Sequence, residues 1–143
     1  MSSALKNLER IGQLKAEPPV YAELAGLLHS GRIRLHDATN GELSLESRFD
    51  LSYNSSHALA LAALRWHGYR SDNRYLVFQC LQHTLDLEPE QWRVLDLAHR
   101  KRNLAEYEGH MEIDHALLDA LLRVSGEVLR RCSALPALEV PTP

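Results

Sequence analysis

One uninterrupted helical pattern, from Ser44 to about His67, constrains the fold of this chain more than any other feature. Its apolar residues recur every three or four positions, and one row contains Phe49, Tyr53 and Leu64, as an amphipathic helix requires. The same segment contains "SSHALALAA", whose small side chains allow a neighbouring helix backbone to approach closely. We therefore predict that this helix is the central and most buried one.

Glycine, proline and asparagine divide the rest of the chain into further helical segments. The stretch 31–44 is ambiguous apart from a turn at "TNG", and no segment shows the alternation of a strand. The other predicted helices are Ser3–Lys15, one that opens at Pro19 and ends at "HSGR", and segments at about Arg74–Leu85, Pro89–Tyr107 and Asp114–Arg131.

These short connections favour antiparallel neighbours. We predict an all-α, antiparallel up-and-down helical bundle with four core helices plus an N-terminal helix. Residues 1–18 form the N-terminal helix and a linker, residues 19–132 the bundle, and residues 133–143 a proline-rich flexible tail.

Composition restricts the class of protein. The chain has 143 residues, of which 45% are apolar, enough for one folded domain with a core. A net charge of −3 excludes a generally basic nucleic-acid coat, so contact with RNA needs a local patch. Cys80 and Cys132 fit no metal or redox spacing, and no apolar run could span a bilayer. These features predict a cytoplasmic protein with reduced thiols and no membrane contact.

The polar segment "AHRKRNLAEYEGHMEID", residues 98–114, stands out at the end of one predicted helix. Steps of four residues place Arg102 beside Glu106 for an ion pair, and His99, Asn103 and Tyr107 in one row. Such a pattern is typical of a solvated helix end. It is also a plausible ligand site, and the residues alone leave both interpretations open.

Three segments follow one another along the chain: "RFDLSYNSSHALALAALRWHGYR", "LDLAHRKRNLAEYEG" and "EIDHALLDALLRVSGEVL". Their order resembles the HEPN superfamily, helical-bundle domains of bacterial toxin–antitoxin and nucleotidyltransferase-associated systems. The resemblance covers roughly residues 20–131. It implies a HEPN-like bundle that forms a homodimer around a shared cleft, where active members cut RNA without a metal.

The family signature is an arginine and a polar residue, followed after a few positions by a histidine. Arg102 and Asn103 match its first part, whereas the positions for the histidine, 107 to 109, hold "YEG". Ala105, Glu106 and Tyr107 resemble instead a branch with Ala-Asp-Tyr in place of the histidine. Because histidine is the side chain best suited to proton transfer near neutrality, this departure favours binding over turnover.

The resulting hypothesis is a HEPN-like homodimer that binds RNA, a nucleotide or a partner protein, with a nucleotidyltransferase-like protein as a possible partner. One alternative is a metal-independent endoribonuclease with Arg102 and a displaced histidine, His110 or His99, as catalytic candidates. Another is an interaction bundle without a ligand site. No cofactor or metal site is predicted. The candidate ligand-binding residues are Arg102, Asn103, Tyr107, His99, Glu106, Tyr53, Asn54 and His57.

Overall fold

A computed structural model describes residues 3–110 and 112–136 of the chain. The protein is mostly helical, with helices packed against one another and one very small sheet. None of the helices in these ranges is long and apolar enough to cross a membrane. The elements are α1 Ser3–Arg10, β1 Lys15–Ala16, α2 Tyr21–Ala38, α3 Leu45–Trp66, β2 Tyr69–Arg70, α4 Arg74–Gln79, α5 Leu81–Thr84, α6 Pro89–Glu108 and α7 His115–Ser133.

Helix α3 is the central element, as its pattern predicts. Ser44 caps its first turn, accepting a hydrogen bond from the Ser47 amide at 3.0 Å. Gly68 follows its C-cap with a φ of 89°, a conformation that glycine adopts without steric cost. Side chains from Phe49 to Leu64 are buried on several sides of the helix, and α2, α4 and α7 all pack against it.

Helix α2 continues through "HSGR" to Ala38, so the prediction that it ends at "HSGR" is wrong. Gly31 is a packing residue rather than a stop signal. A Cβ at this position would lie 2.5 Å from the Leu59 side chain of α3. The Ser55 hydroxyl donates to the Gly31 carbonyl oxygen at 2.7 Å. The absence of a side chain is therefore what lets α2 and α3 come this close.

Helix α7 packs on α3 through three buried serines. The Ser125 hydroxyl lies 3.0 Å from that of Ser52 and 2.6 Å from that of Ser56, so each polar group is satisfied inside the core. Cys132 on α7 and Cys80 are both free and buried. Burial raises the pKa of Cys80 to about 11 and that of Cys132 to about 12, which keeps both thiols protonated.

The N-terminal segment contains a strand that the sequence did not indicate. Lys15–Ala16 pairs antiparallel with Tyr69–Arg70, which corrects the prediction of a chain without strands. Two residues are too few for a visible alternation of apolar and polar positions. Helix α1 ends at Arg10 instead of Lys15, because Gly12, with φ 81°, turns the chain toward β1. Leu5 and Leu14 of this segment are buried in the common core.

Arg65 fastens the N-terminal segment to α3. Its side chain is fully buried and donates to the carbonyl oxygens of Glu17 at 2.9 Å, Pro18 at 2.8 Å and Tyr69 at 3.3 Å. Its Nε also donates to Glu23 Oε1 on α2 at 2.9 Å. Arg65 Nη2 lies 3.4 Å from the Glu17 carboxylate, and Arg70 bridges the carboxylates of Glu17 and Glu23 at 3.0 and 2.7 Å. We refer to Arg65, Arg70, Glu17 and Glu23 as the Arg65 network.

The predicted helix Arg74–Leu85 is divided at Cys80 into α4 and α5. Helix α6 begins with a capping box of Glu88 and Gln91 and ends at Gly109 in the left-handed conformation. Trp66 and Trp92 are partly buried against the core. Of the predicted flexible tail, residues 137–143 lie outside the described part of the chain.

Candidate functional site

Three helices bring polar side chains together around one buried aromatic ring. Tyr53 comes from the middle of α3 and is fully buried. Arg74 is the first residue of α4. His99 and Arg102 come from the second half of α6, which packs on both α3 and α4. We call this group, with His57 and Asn103, the Tyr53 cluster.

His99 is held from both sides. Its Nδ1 lies 3.0 Å from the Tyr53 hydroxyl, and its Nε2 lies 3.1 Å from Nδ2 of Asn103. With the Asn103 amide donating to Nε2, the remaining proton is on Nδ1 and is donated to the Tyr53 oxygen. The His99 and Tyr53 rings are also nearly parallel, with centroids 6.3 Å apart and planes inclined by 20°. Both nitrogens of this imidazole are therefore occupied.

Two arginines lie against the Tyr53 ring. The guanidinium carbon of Arg102 is 5.0 Å from the ring centroid, and that of Arg74 is 5.8 Å from it. Both distances allow a cation–π interaction. Arg74 also donates from Nη1 to Asn54 Oδ1 at 3.3 Å. Two like charges from separate helices are thus directed to a single buried ring.

Carboxylates balance this positive charge only in part. Arg102 contacts Glu106 at 3.2 Å and Asp50 at 3.8 Å. The carboxylate side chains are 67% and 55% exposed, so both pairs are solvated and weak. Within the described residues, Arg74 has no carboxylate within 4.0 Å; its hydrogen bond is to Asn54 and its cation–π contact is with Tyr53. Arg74 therefore has no acidic partner among the described residues, and Arg102 shares its donors only with solvated carboxylates, so a bound anion could contact both arginines.

The neighbouring histidines are neutral. Burial lowers the pKa of His57 to about 4, and the charges of Arg74, Arg102 and His99 add to this shift. Burial is also the main cause of the lowered pKa of His99; the charge of Asp96 raises this pKa, and the charges of Arg102 and Arg74 lower it. Because neither imidazole is protonated at pH 7, the positive charge of the cluster resides on the two arginines.

The structure brings together most of the candidate ligand-binding residues. Tyr53, Asn54, His57, His99, Arg102 and Asn103 meet in or beside the cluster, and Glu106 lies at its rim. Tyr107 lies apart from them, 92% exposed. His110 follows the left-handed Gly109 and is exposed, with its Nδ1 near the Glu108 carbonyl oxygen at 3.3 Å. Neither His110 nor Tyr107 contacts Arg102 within the described residues.

Sequence reasoning missed Arg74. Arg74 lies on α4 and Arg102 on α6, so the two residues are distant in the sequence. Nothing in the local pattern of α4 distinguishes Arg74 from an ordinary surface arginine. The one available signal was "SDNR", where Asn73 caps α4 by accepting from the Leu76 amide at 3.1 Å. That cap fixes where α4 starts. It does not reveal that the first residue lies against Tyr53.

Among the described residues, no group of three or more histidine, cysteine, aspartate or glutamate side chains could hold a metal ion. Comparison of the chain with protein-family models, with curated proteins and with solved structures finds no significant match. The functional interpretation therefore depends on the geometry and charge of the Tyr53 cluster itself.

Proposed function

We propose that this chain is a HEPN-like homodimeric binding protein, and that its Tyr53 cluster binds the phosphate group of RNA or a nucleotide. One observation carries the proposal. Arg74 and Arg102, from different helices, approach the same buried ring with incomplete carboxylate compensation. Guanidinium groups present several N–H donors in a plane and match the oxygen atoms of a phosphate.

A phosphate can compete with the existing partners of Arg102. Exposed ion pairs such as Arg102–Glu106 contribute only about 0.3–0.5 kcal/mol. A dianionic phosphate between two arginines offers charge-assisted hydrogen bonds to both. The Tyr53–His99–Asn103 hydrogen bonds hold the floor of the cluster in place, so binding requires little reordering of side chains.

The cluster is better suited to binding RNA than to cutting it. A histidine with a pKa of about 4, as for His57, is a weak base at neutral pH. Both nitrogens of His99 are already hydrogen-bonded. His110, the displaced histidine of the ribonuclease alternative, lies beyond the end of α6. We expect purified protein to leave single-stranded RNA intact in the absence of metal. Cleavage that disappears in both Arg102→Ala and His110→Ala would contradict this.

The exposed side of α6 supports the homodimer. Leu97 and Leu104 are 48% and 52% exposed and share one side of the helix. That side also carries Arg93 and Glu108, so two antiparallel copies of α6 would place each Arg93 opposite Glu108 of the second copy. Arg102 lies about 140° around the helix from Leu97, so this pairing leaves the Tyr53 cluster open.

Light scattering tests the homodimer. At tens of micromolar we expect the wild type to have twice the monomer mass of 16.2 kDa. Leu97→Asp combined with Leu104→Asp should give the monomer mass, whereas a wild-type monomer would contradict the pairing. The resemblance also supports a nucleotidyltransferase-like partner, and co-purification with the product of such an adjacent gene would test it.

Thermal unfolding with added phosphate or a mononucleotide tests the anion site. Ligand at ten times its Kd adds about 1.4 kcal/mol to stability, equivalent to a rise in Tm of about 3–5 °C. The rise should vanish in Arg102→Ala and decrease with added salt. Arg100→Ala is the matched control, because Arg100 also forms an ion pair with a residue four positions away, Asp96, and lies outside the cluster with its own side chain 73% exposed.

Comparing Arg102→Ala with Arg100→Ala distinguishes a phosphate site at Arg102 from a solvated helix end. If Arg102 only solvates the end of α6, phosphate should stabilise wild type, Arg102→Ala and Arg100→Ala equally, and the proposal is wrong. Arg102→Lys should restore only part of the gain, because an ammonium group lacks the planar pair of donors.

A further inference from the structure

Tyr75 is an exposed aromatic residue next to the charged part of the Tyr53 cluster. It follows Arg74 directly, so the two side chains leave the backbone from Cα atoms about 3.8 Å apart. Tyr75 is 37% exposed as a residue, whereas Tyr53 and Phe78 are buried. An accessible aromatic ring is therefore present one residue after Arg74.

The Tyr75 ring continues a row of rings that ends beneath the arginines. Its centroid lies 5.8 Å from that of His99, at an interplanar angle of 37°. His99 in turn is hydrogen-bonded to the Tyr53 hydroxyl, with ring centroids 6.3 Å apart, and Arg102 lies over Tyr53 at 5.0 Å. Tyr75 is therefore linked through His99 to the Tyr53 ring against which the arginines lie.

Packing holds the Tyr75 ring in place. Trp92 meets it edge-on, with centroids 6.1 Å apart and planes inclined by 70°. Trp92 is itself anchored, because its Nε1 donates to the Phe78 carbonyl oxygen at 3.1 Å. A ring that is fixed on two sides and open elsewhere loses little conformational entropy when a flat ligand stacks on it.

We propose that Tyr75 is the platform for an unpaired nucleobase whose own phosphate lies against Arg74 and Arg102. The inference depends on the proposed phosphate site and adds the ligand class, single-stranded RNA. Aromatic side chains next to backbone-binding cations are the usual means of holding single strands, whose bases are free to stack. A double helix, with its bases already stacked, would not use this platform.

The experiment compares a four-nucleotide RNA, AAAA, with the same sugar–phosphate backbone lacking bases. Stacking of one base on an aromatic ring is worth at least a fivefold change in affinity, and about tenfold is expected here. Wild type should therefore bind AAAA about tenfold more tightly than the abasic chain. Tyr75→Leu should bind both equally, and Tyr75→Phe should retain the preference.

Tyr21→Leu is the control, because Tyr21 is 44% exposed on α2, away from the cluster. It should keep the preference for AAAA. Trp92 provides a local readout through its contact with Tyr75 once Trp66 is replaced in Trp66→Phe. Its emission should change with AAAA and much less with the abasic chain. Circular dichroism melting of each variant confirms that it is folded.

Two failures can be distinguished. If wild type binds the two chains equally, and both are lost in Arg102→Ala, then the Tyr75 platform is wrong and the phosphate site stands. If neither chain binds to wild type, or both bind Arg102→Ala as well as wild type, the proposed phosphate site fails and the platform fails with it. A preference for AAAA that persists in Tyr75→Leu also contradicts the platform.

Discussion

The Arg65 network and the Tyr53 cluster both place arginines against α3, yet they use them in opposite ways. Arg65 is fully buried and donates to three carbonyl oxygens and to the Glu23 carboxylate. Arg102 retains 27% exposure, contacts two solvated carboxylates and lies over an aromatic ring. The first arginine has its donors occupied, and the second has donors to offer.

This difference separates a structural arginine from a candidate binding arginine. In the Arg65 network, burial alone would raise the pKa of Glu23, but hydrogen bonds from Arg70 and Arg65 outweigh it and the pKa is lowered. Charge is thus neutralised inside the protein. In the Tyr53 cluster, burial is the main cause of the lowered pKa of His57 and of His99; Arg74 and Arg102 lower both further, and Asp96 raises that of His99.

Replacing Arg65 should have the largest effect on stability. Arg65→Ala leaves the carbonyl groups of Glu17, Pro18 and Tyr69 without their donor, and we expect a loss of about 3–5 kcal/mol in the free energy of unfolding. Urea denaturation followed by circular dichroism measures it. Arg70→Ala, at the half-exposed end of the same network, should cost about 1 kcal/mol. A loss below about 1 kcal/mol for Arg65→Ala would remove the distinction between the two regions.

Acid should weaken the Tyr53 cluster before it weakens the Arg65 network. The folded pKa of His57, about 4, lies below its usual value of 6.5, so folding releases protons between these values. The stability is complete above pH 6.5 and is lost as pH falls toward 4. Between pH 7 and 5 we expect a loss on the order of 1–2 kcal/mol, much reduced in His57→Gln.

The Arg65 network should respond at lower pH. Glu23, with its lowered pKa, contributes stability that is present above its usual pKa of 4.5 and lost as pH falls below that value. Urea midpoints measured at each pH separate the two windows. If His57→Gln loses as much unfolding free energy between pH 7 and 5 as the wild type does, the assignment to His57 is wrong.

Glu23→Gln should have an intermediate effect at neutral pH. The substitution keeps the shape of the side chain but removes the charge shared by Arg65 and Arg70, so we expect a loss of about 1–2 kcal/mol. The loss should become smaller below pH 4.5, where the wild-type carboxylate also begins to take up a proton. Denaturation at pH 7 and pH 3.5 provides the comparison, and an equal loss at both would argue against a charge effect.

Arg102→Ala should have the smallest effect on stability. Its ion pairs are solvated, so we expect a loss below about 0.5 kcal/mol at neutral pH and low salt. Arg74→Ala should behave similarly, because its contacts are one 3.3 Å hydrogen bond and the face of Tyr53. A loss above about 1.5 kcal/mol in either variant would class the Tyr53 cluster with the Arg65 network as a structural feature.

Much of the fold could be predicted because it depends on local patterns. Helix α3 combines apolar periodicity, a serine cap and a terminal glycine, and all three agree. The end of α2 was misplaced because Gly31 has the same sequence signature as a helix stop, whereas its reason is the approach of Leu59. The two-residue strands and the Arg65 network arise from contacts between distant segments, which no local pattern records.

The candidate site could likewise be predicted only where it depends on spacing within one helix. The spacing of four residues correctly placed His99 beside Asn103. The same spacing also predicted Tyr107 as part of the site, but Tyr107 is 92% exposed. Spacing within a helix does not indicate how far along that helix the neighbouring helices extend. Arg74 and Tyr75 complete the site from α4, and only the packing of α4 on α6 brings them there.

The close approach of α2 and α3 at Gly31 also bears on the order in which the chain folds. These two helices are consecutive, so forming their contact closes only a short loop and costs little chain entropy. The Arg65 network, by contrast, includes bonds between residues 42 and 53 positions apart in sequence, so we expect it to form after that pair. We therefore expect the α2–α3 hairpin to nucleate folding, with the N-terminal segment docking last and detaching first.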